Sequence, residues 1–209
     1  SALPPSLGRE WQGSNLQRSA FVMNAKVKIQ FPEQSIPFYS TADALNACML
    51  ASEAIAQLRT LINQISKSTA QIKAYAHDNN VSQAVFSELE NLISVSKLLA
   101  DSQVDTYNLE CKRHTKESHD QYDAGDLFNT YSLAHENTSW LQTMFYQIKD
   151  EAEIVKDAVK QNIHSAAFGG LDNLIHIAEY LADNHSNTFD VEREKYEMEW
   201  NKIGADQND

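Results

Sequence analysis

This chain of 209 residues contains one pattern twice. Residues 43–65, DALNACMLASEAIAQLRTLINQI, align with 126–148, DLFNTYSLAHENTSWLQTMFYQI, at an offset of 83 with nine identities in twenty-three positions. Residues 81–113 align with 163–195 at an offset of 82 with eleven identities in thirty-three. A period of this length in one chain means a duplicated supersecondary unit, and the fold must place two copies of it.

The unit is helical. Ala44, Cys48, Ala51, Ile55, Leu58, Ile62, Ile65, Thr69, Ile72 and Ala76 alternate steps of four and three, the spacing of a heptad seam. Their counterparts at +83, Leu127, Tyr131, Ala134, Thr138, Leu141, Phe145, Ile148, Ala152, Val155 and Val159, keep the register. The spacing predicts helices over 42–77 and 126–161, each about 54 Å long at 1.5 Å per residue. Ser40 with Asp43 is a capping-box signature for the first, and Asp126 follows Gly125 at the start of the third.

Polar breaks at Asp78-Asn79-Asn80 and around Gln161-Asn162 suit turns, so each unit reads as an antiparallel helical hairpin. Val85, Leu89, Leu92, Val95 and Leu99 recur as Ala167, Leu171, Leu174, Ile177 and Leu181 and predict second helices over 82–118 and 164–202. Gly169-Gly170 replaces Ser87-Glu88. The unbroken alignment carries the helix through the two glycines and suggests a second backbone passing close by; the alternative ends the helix at Gly169.

The expected architecture is all-α: four long helices in an up-down-up-down bundle with a pseudo-two-fold axis, built over 41–203 from repeats 41–120 and 124–203. The alternative is a side-by-side pair of hairpins completed by a second chain. Six Gly and four Pro in the whole chain leave too few turn residues for sandwiches, barrels or nucleotide-binding α/β folds. Residues 1–40 hold all four prolines and the alternation Val27-x-Ile29-x-Phe31; they read as an extended N-terminal arm lying on the bundle, or as a strand added to another chain. Residues 204–209 read as a frayed tail.

Charge and composition narrow the function. Seventeen Lys and Arg against twenty-nine Asp and Glu give −12, which opposes sequence-independent binding to nucleic acid or anionic lipid. No stretch approaches eighteen consecutive apolar residues, so no membrane span is expected, and a cytoplasmic location is the expectation. The first residue is Ser, so a processed signal or excised domain stays open.

Identity between the halves survives away from the seam. Asn46/Asn129, Glu53/Glu136 and Thr60/Thr143 fall at one outer heptad position, and Asp43/Asp126, Leu50/Leu133 and Gln64/Gln147 at another. Seam pairs have diverged meanwhile: Cys48 to Tyr131, Ile55 to Thr138, Ile62 to Phe145. A solvated outer face should show the reverse. The stripe, with Trp140 beside it, is therefore read as a partner-binding surface or an inter-helix layer; the plainer alternative is the residue of a recent duplication.

Chemistry finds little support. Glu53 and Glu136 match two helices of a di-metal carboxylate bundle, but Glu88, Glu90, Glu110 and Glu179 lack the His three residues on that the other helices must supply. His176-x-x-Glu179 and Glu110 with His114 read as surface pairs, so no metal or other cofactor is expected. The seven histidines, 77, 114, 119, 135, 164, 176 and 185, sit in no sequence-local nucleophile motif. Cys48 and Cys111 fall level across the first hairpin; Cys48 is read as reduced and buried rather than bridged.

The reading is a non-enzymatic, acidic helical protein-interaction module, of inhibitor, immunity or antitoxin type, that binds another protein or a copy of itself. The second reading is a four-helix-bundle sensor holding a small ligand near Asn91 and Asn173; the third is an acidic mimic of nucleic acid.

Overall fold

The computed structural model describes residues 38–116 and 122–206; residues 1–37 of the expected N-terminal arm, with its candidate strand, lie outside them. Four helices, α1 (Thr41–Asp78), α2 (Ser87–Lys116), α3 (Ala124–Val159) and α4 (Gly169–Asp206), form the bundle. Short 3₁₀ turns, Gln83–Phe86 and Ser165–Phe168, lead into α2 and α4 at repeat-equivalent places. Helices pair most extensively within each hairpin. α1 also packs on α4 and α2 on α3, and α1 meets α3 across the diagonal.

Each hairpin opens with a capping box. Ser40 Oγ accepts from the backbone N–H of Asp43 at 3.3 Å while the Asp43 carboxylate accepts from Ser40 N at 2.9 Å. In the second unit Asp123 and Asp126 do the same at 3.0 and 3.1 Å. The cap of α3 is thus Asp123 rather than the Gly125-Asp126 pair. Gly125 serves packing instead: a Cβ there would lie 2.9 Å from the Trp200 ring.

Repeat-equivalent residues touch at both ends of the bundle. Tyr39 and Tyr122, 83 apart, exchange backbone hydrogen bonds of 2.8 and 3.0 Å in an isolated antiparallel bridge. At the opposite end Asn162 Nδ2 donates to the carbonyl of Asn79 at 3.1 Å, again across 83 residues. Contacts between equivalents belong on a two-fold axis, so the pseudo-axis runs lengthwise between α1 and α3. The change of offset from 83 to 82 falls at Asn80. Its φ of 60° is left-handed, and it closes α1 with Asn80 N to His77 O and Val81 N to Ala76 O, both 3.0 Å. The second turn does without this residue.

All ten predicted seam residues of α1 are buried, as are nine of the ten in α3, Tyr131 being half-buried. The register read for α2 and α4 is corrected. Of the ten predicted positions only Leu89 and Leu171 are fully buried, and Val95 and Ile177 lie open to solvent. The buried rows are Phe86, Leu89, Ile93, Ser96, Ala100, Gln103, Tyr107 and Phe168, Leu171, Ile175, Ala178, Ala182, Phe189, rotated by one residue from the prediction. Neighbouring apolar pairs such as Leu92-Ile93 and Leu99-Ala100 offer two registers, and Ser96 and Gln103 disguise the true one.

The glycine expectation is also corrected in part. Gly169-Gly170 form the first turn of α4, as Ser87-Glu88 begin α2, and nothing lies within 4 Å of a Cβ built on either glycine, so no second backbone passes there. α4 runs beyond the expected end at 202, to Asp206.

Candidate functional site

Every residue of the duplicated stripe is exposed: Asp43, Asn46, Leu50, Glu53, Thr60 and Gln64 on α1, and Asp126, Asn129, Leu133, Glu136, Trp140, Thr143 and Gln147 on α3. The stripe is surface, and the inter-helix-layer alternative falls. Two of its pairs have structural work. Asp43 and Asp126 complete the capping boxes, and the bond to Ser40 holds the Asp43 carboxyl below the usual carboxylate range. The Thr60 and Thr143 hydroxyls donate to carbonyls four residues back, at 2.9 and 3.0 Å. Asn46/Asn129, Glu53/Glu136 and Gln64/Gln147 make no side-chain hydrogen bond or ion pair among the described residues. Leu50 and Leu133 are about equally open, at 41 and 40%, and Trp140 is 48% exposed.

A groove of about 500 Å³ between α1 and α2 is lined by Met49, Ser52, Glu53, Asn108, Cys111 and Lys112 among others. Another of about 470 Å³ between α3 and α4 is lined by Ser132, His135, Glu136, Ser139, Trp140 and Arg193. Met49, Ser52 and Glu53 correspond to Ser132, His135 and Glu136, and Cys111 to Arg193. The two grooves are thus one site of the repeat, present twice, with the retained glutamate on each wall and the other chemistry changed.

The second groove joins residues that the sequence leaves apart. His135 Nδ1 lies 3.1 Å from the Ser186 carbonyl oxygen and 3.2 Å from Ser186 Oγ, which is 2.9 Å from Ser139 Oγ. His135 Nε2 is 4.0 Å from Asp190, whose carboxyl is held low by Arg193 at 2.6 Å. Ser, His and Asp in contact invite comparison with a hydrolytic triad, but this cluster lacks the parts. Ser186 is buried in mid-helix, where backbone N–H groups are committed to helical carbonyls and none is left to form an oxyanion hole. The imidazole nitrogen beside it also faces a carbonyl, to which it can only donate.

The pairs considered for metal are otherwise engaged. His176 Nδ1 is 3.2 Å from Glu179, which also takes two 3.0 Å bonds from Lys149. Glu110 bonds Arg113 at 2.7 Å, and His114 Nδ1 is 2.7 Å from the Tyr122 hydroxyl. Among the described residues no three His, Cys, Asp or Glu side chains gather as a metal site would require. Asn91 and Asn173, proposed to flank a sensor pocket, are both exposed on outer faces, a consequence of the corrected register.

Both cysteines are free thiols, Cys48 buried on α1 and Cys111 half-buried on α2. Burial pushes the Cys48 thiol up to about 12, and burial likewise raises Cys111. Neither is an activated nucleophile at neutral pH. Among the described residues no helix is long and apolar enough to cross a membrane. Comparison with known proteins returns no match: no family model fits the chain, and no curated protein or solved structure matches it.

Proposed function

We propose that the protein is a non-enzymatic interaction module whose duplicated outer stripe and adjoining grooves bind a basic protein partner. The observation that carries this reading is the retention of Asn46/Asn129, Leu50/Leu133 and Glu53/Glu136 at exposed positions, where the amides and carboxylates make no side-chain hydrogen bond or ion pair among the described residues. Exposed leucines beside unpaired carboxylates suit a partner offering an apolar anchor and a Lys or Arg. The net charge of −12 adds long-range attraction for such a surface. The pseudo-axis runs along the bundle, so the stripes of α1 and α3 face opposite ways, and one chain engages two partner copies.

The test uses the paired variant Glu53→Arg/Glu136→Arg. A partner captured from the source extract is purified and titrated against both proteins, with light-scattering mass and circular dichroism alongside. The reading stands if binding weakens at least tenfold, from two equivalents per chain, with mass and helicity unchanged. Equal affinity for both proteins overturns it. A halved mass makes the stripe a contact between copies of this chain instead.

A further inference from the structure

Aromatic rings pack between the hairpins at the capped end of the bundle, and the repeat relation allows the two sides to be compared ring by ring. On the α1–α4 side Tyr39 meets Tyr196 edge-on at 5.3 Å, Tyr131 stacks on Tyr196 at 5.6 Å and 4°, and Phe189 lies 6.3 Å from Tyr131. The equivalents on the α2–α3 side are Tyr122 for Tyr39, His114 for Tyr196 and Tyr107 for Phe189. The edge-on pair is reproduced there, with Tyr122 and His114 at 5.2 Å. One ring has no equivalent: the position of Tyr131 is held by Cys48.

A cleft of about 270 Å³ opens at that place. Its walls include Cys48, Tyr107, His114, Tyr122, Asn129 and Leu133, three of them the aromatic equivalents just named. By comparison a cavity of about 150 Å³ lined by apolar side chains is enough to hold benzene. Of the charged groups on the walls, Glu110 and Arg113 pair at 2.7 Å, and the exposed Asp126 carboxylate takes the backbone N–H of Asp123 at 3.1 Å. The walls thus carry two carboxylates against one guanidinium, which disfavours an anionic occupant.

We propose that this cleft binds a small neutral aromatic molecule of phenol size, its ring lying over His114 as the Tyr131 ring lies over Tyr196. The chain supplies the template for its own ligand, because the other half fills the equivalent space with a tyrosine side chain. The cleft shares Asp126, Asn129 and Leu133 with the α3 stripe, but its occupant does not depend on the partner-binding reading.

The probe is 4-methylphenol, the tyrosine side chain as a free molecule, titrated into the full chain by calorimetry while NMR follows the His114 ring. The unchanged protein is expected to take up one saturable equivalent that shifts the His114 resonances. Cys48→Tyr, which restores the missing ring, is expected to weaken binding at least tenfold, and Cys48→Ala to keep it. Tyr131→Cys, which opens the matching space between α1 and α4, is expected to raise the stoichiometry from one to two. The proposal is overturned if the unchanged protein shows no saturable uptake, or if folded Cys48→Tyr binds as well as the unchanged chain. Should Cys48→Tyr lose its helicity, the Tyr131→Cys stoichiometry decides: a value still at one rejects the template.

Discussion

The two interfaces between the hairpins use the same repeat positions and fill them with different chemistry. Between α2 and α3, Gln103 Nε2 donates to Asn137 Oδ1 at 3.0 Å and Asn137 Nδ2 donates to the Tyr107 hydroxyl at 3.1 Å, all three residues buried. Between α1 and α4 the corresponding residues are His185, Ala54 and Phe189, so the Asn–Tyr pair becomes Ala and Phe. The change is concerted: where the amide is lost, the hydroxyl is lost with it. That is the condition under which a buried hydrogen bond can be replaced without leaving a polar group unsatisfied. A bundle can therefore hold its backbone symmetry while one side becomes a polar network and the other an aromatic layer.

Substitutions can break this contrast, and the largest effect belongs to the aromatic side. Phe189→Ala should cost about 3–5 kcal/mol in denaturant unfolding, since a fully buried ring is removed and the helices cannot close the gap. A loss below about 1 kcal/mol would show that the layer is loosely packed. On the polar side Tyr107→Phe should cost about 1–3 kcal/mol by leaving Asn137 Nδ2 without its acceptor. Adding Asn137→Ala copies the other interface, and the double variant should lose less than the sum of the two single changes. Strict additivity would mean that the pair is not coupled.

Where the halves agree, they should also respond alike. Ser40→Ala and Asp123→Ala each remove an N-cap and should each cost about 1 kcal/mol; a large difference between them would show that one hairpin governs unfolding. The smallest effect is in pH. Burial holds the His185 imidazole below its usual 6.5. As pH falls through that value the unfolded chain takes up a proton that the folded chain refuses, so stability is full above about 6.5 and declines below it. His185→Gln, which copies Gln103, should flatten the thermal midpoint between pH 7.5 and 5.5; an unchanged slope would place the titration elsewhere.

Much of the fold was legible because the duplication supplies two readings of each element. The α1 and α3 seams survive comparison even where Ile55 becomes Thr138, because the spacing repeats when the residue does not. The α2 and α4 faces were read one residue out, since Leu92 beside Ile93 satisfies either register and buried Gln103 looks like a surface residue. Tyr39 and Tyr122 share the offset of 83 but lie outside the aligned blocks, so their pairing on the axis emerged only from the backbone. The stripe was legible because identity on an outer face is unusual. The aromatic cleft was not, although both of its terms were in view: Cys48 against Tyr131 reads as simple divergence until the surrounding rings are seen to correspond. The groove cluster of His135, Ser139 and Ser186 joins residues from two helices, with 47 and 51 positions between its partners, and no local spacing announces it.

The length of chain between partners gives the asymmetry of the two interfaces a further meaning. The Gln103–Asn137 bond spans 34 residues, whereas the Gln57–His185 contact between α1 and α4 spans 128, and Tyr39 reaches Glu199 across 160. Each doubling of a closed loop costs roughly 0.6 kcal/mol, so bringing α4 onto α1 carries on the order of 1 kcal/mol more closure entropy than bringing α3 onto α2. The aromatic layer thus lies where the chain is hardest to close, and the polar network, whose net gain per bond is modest, lies where closure is easiest. Of the two interfaces between the hairpins, the one between α1 and α4 carries the larger closure cost, and the buried rings of Phe189 and Tyr196 stand where that cost falls.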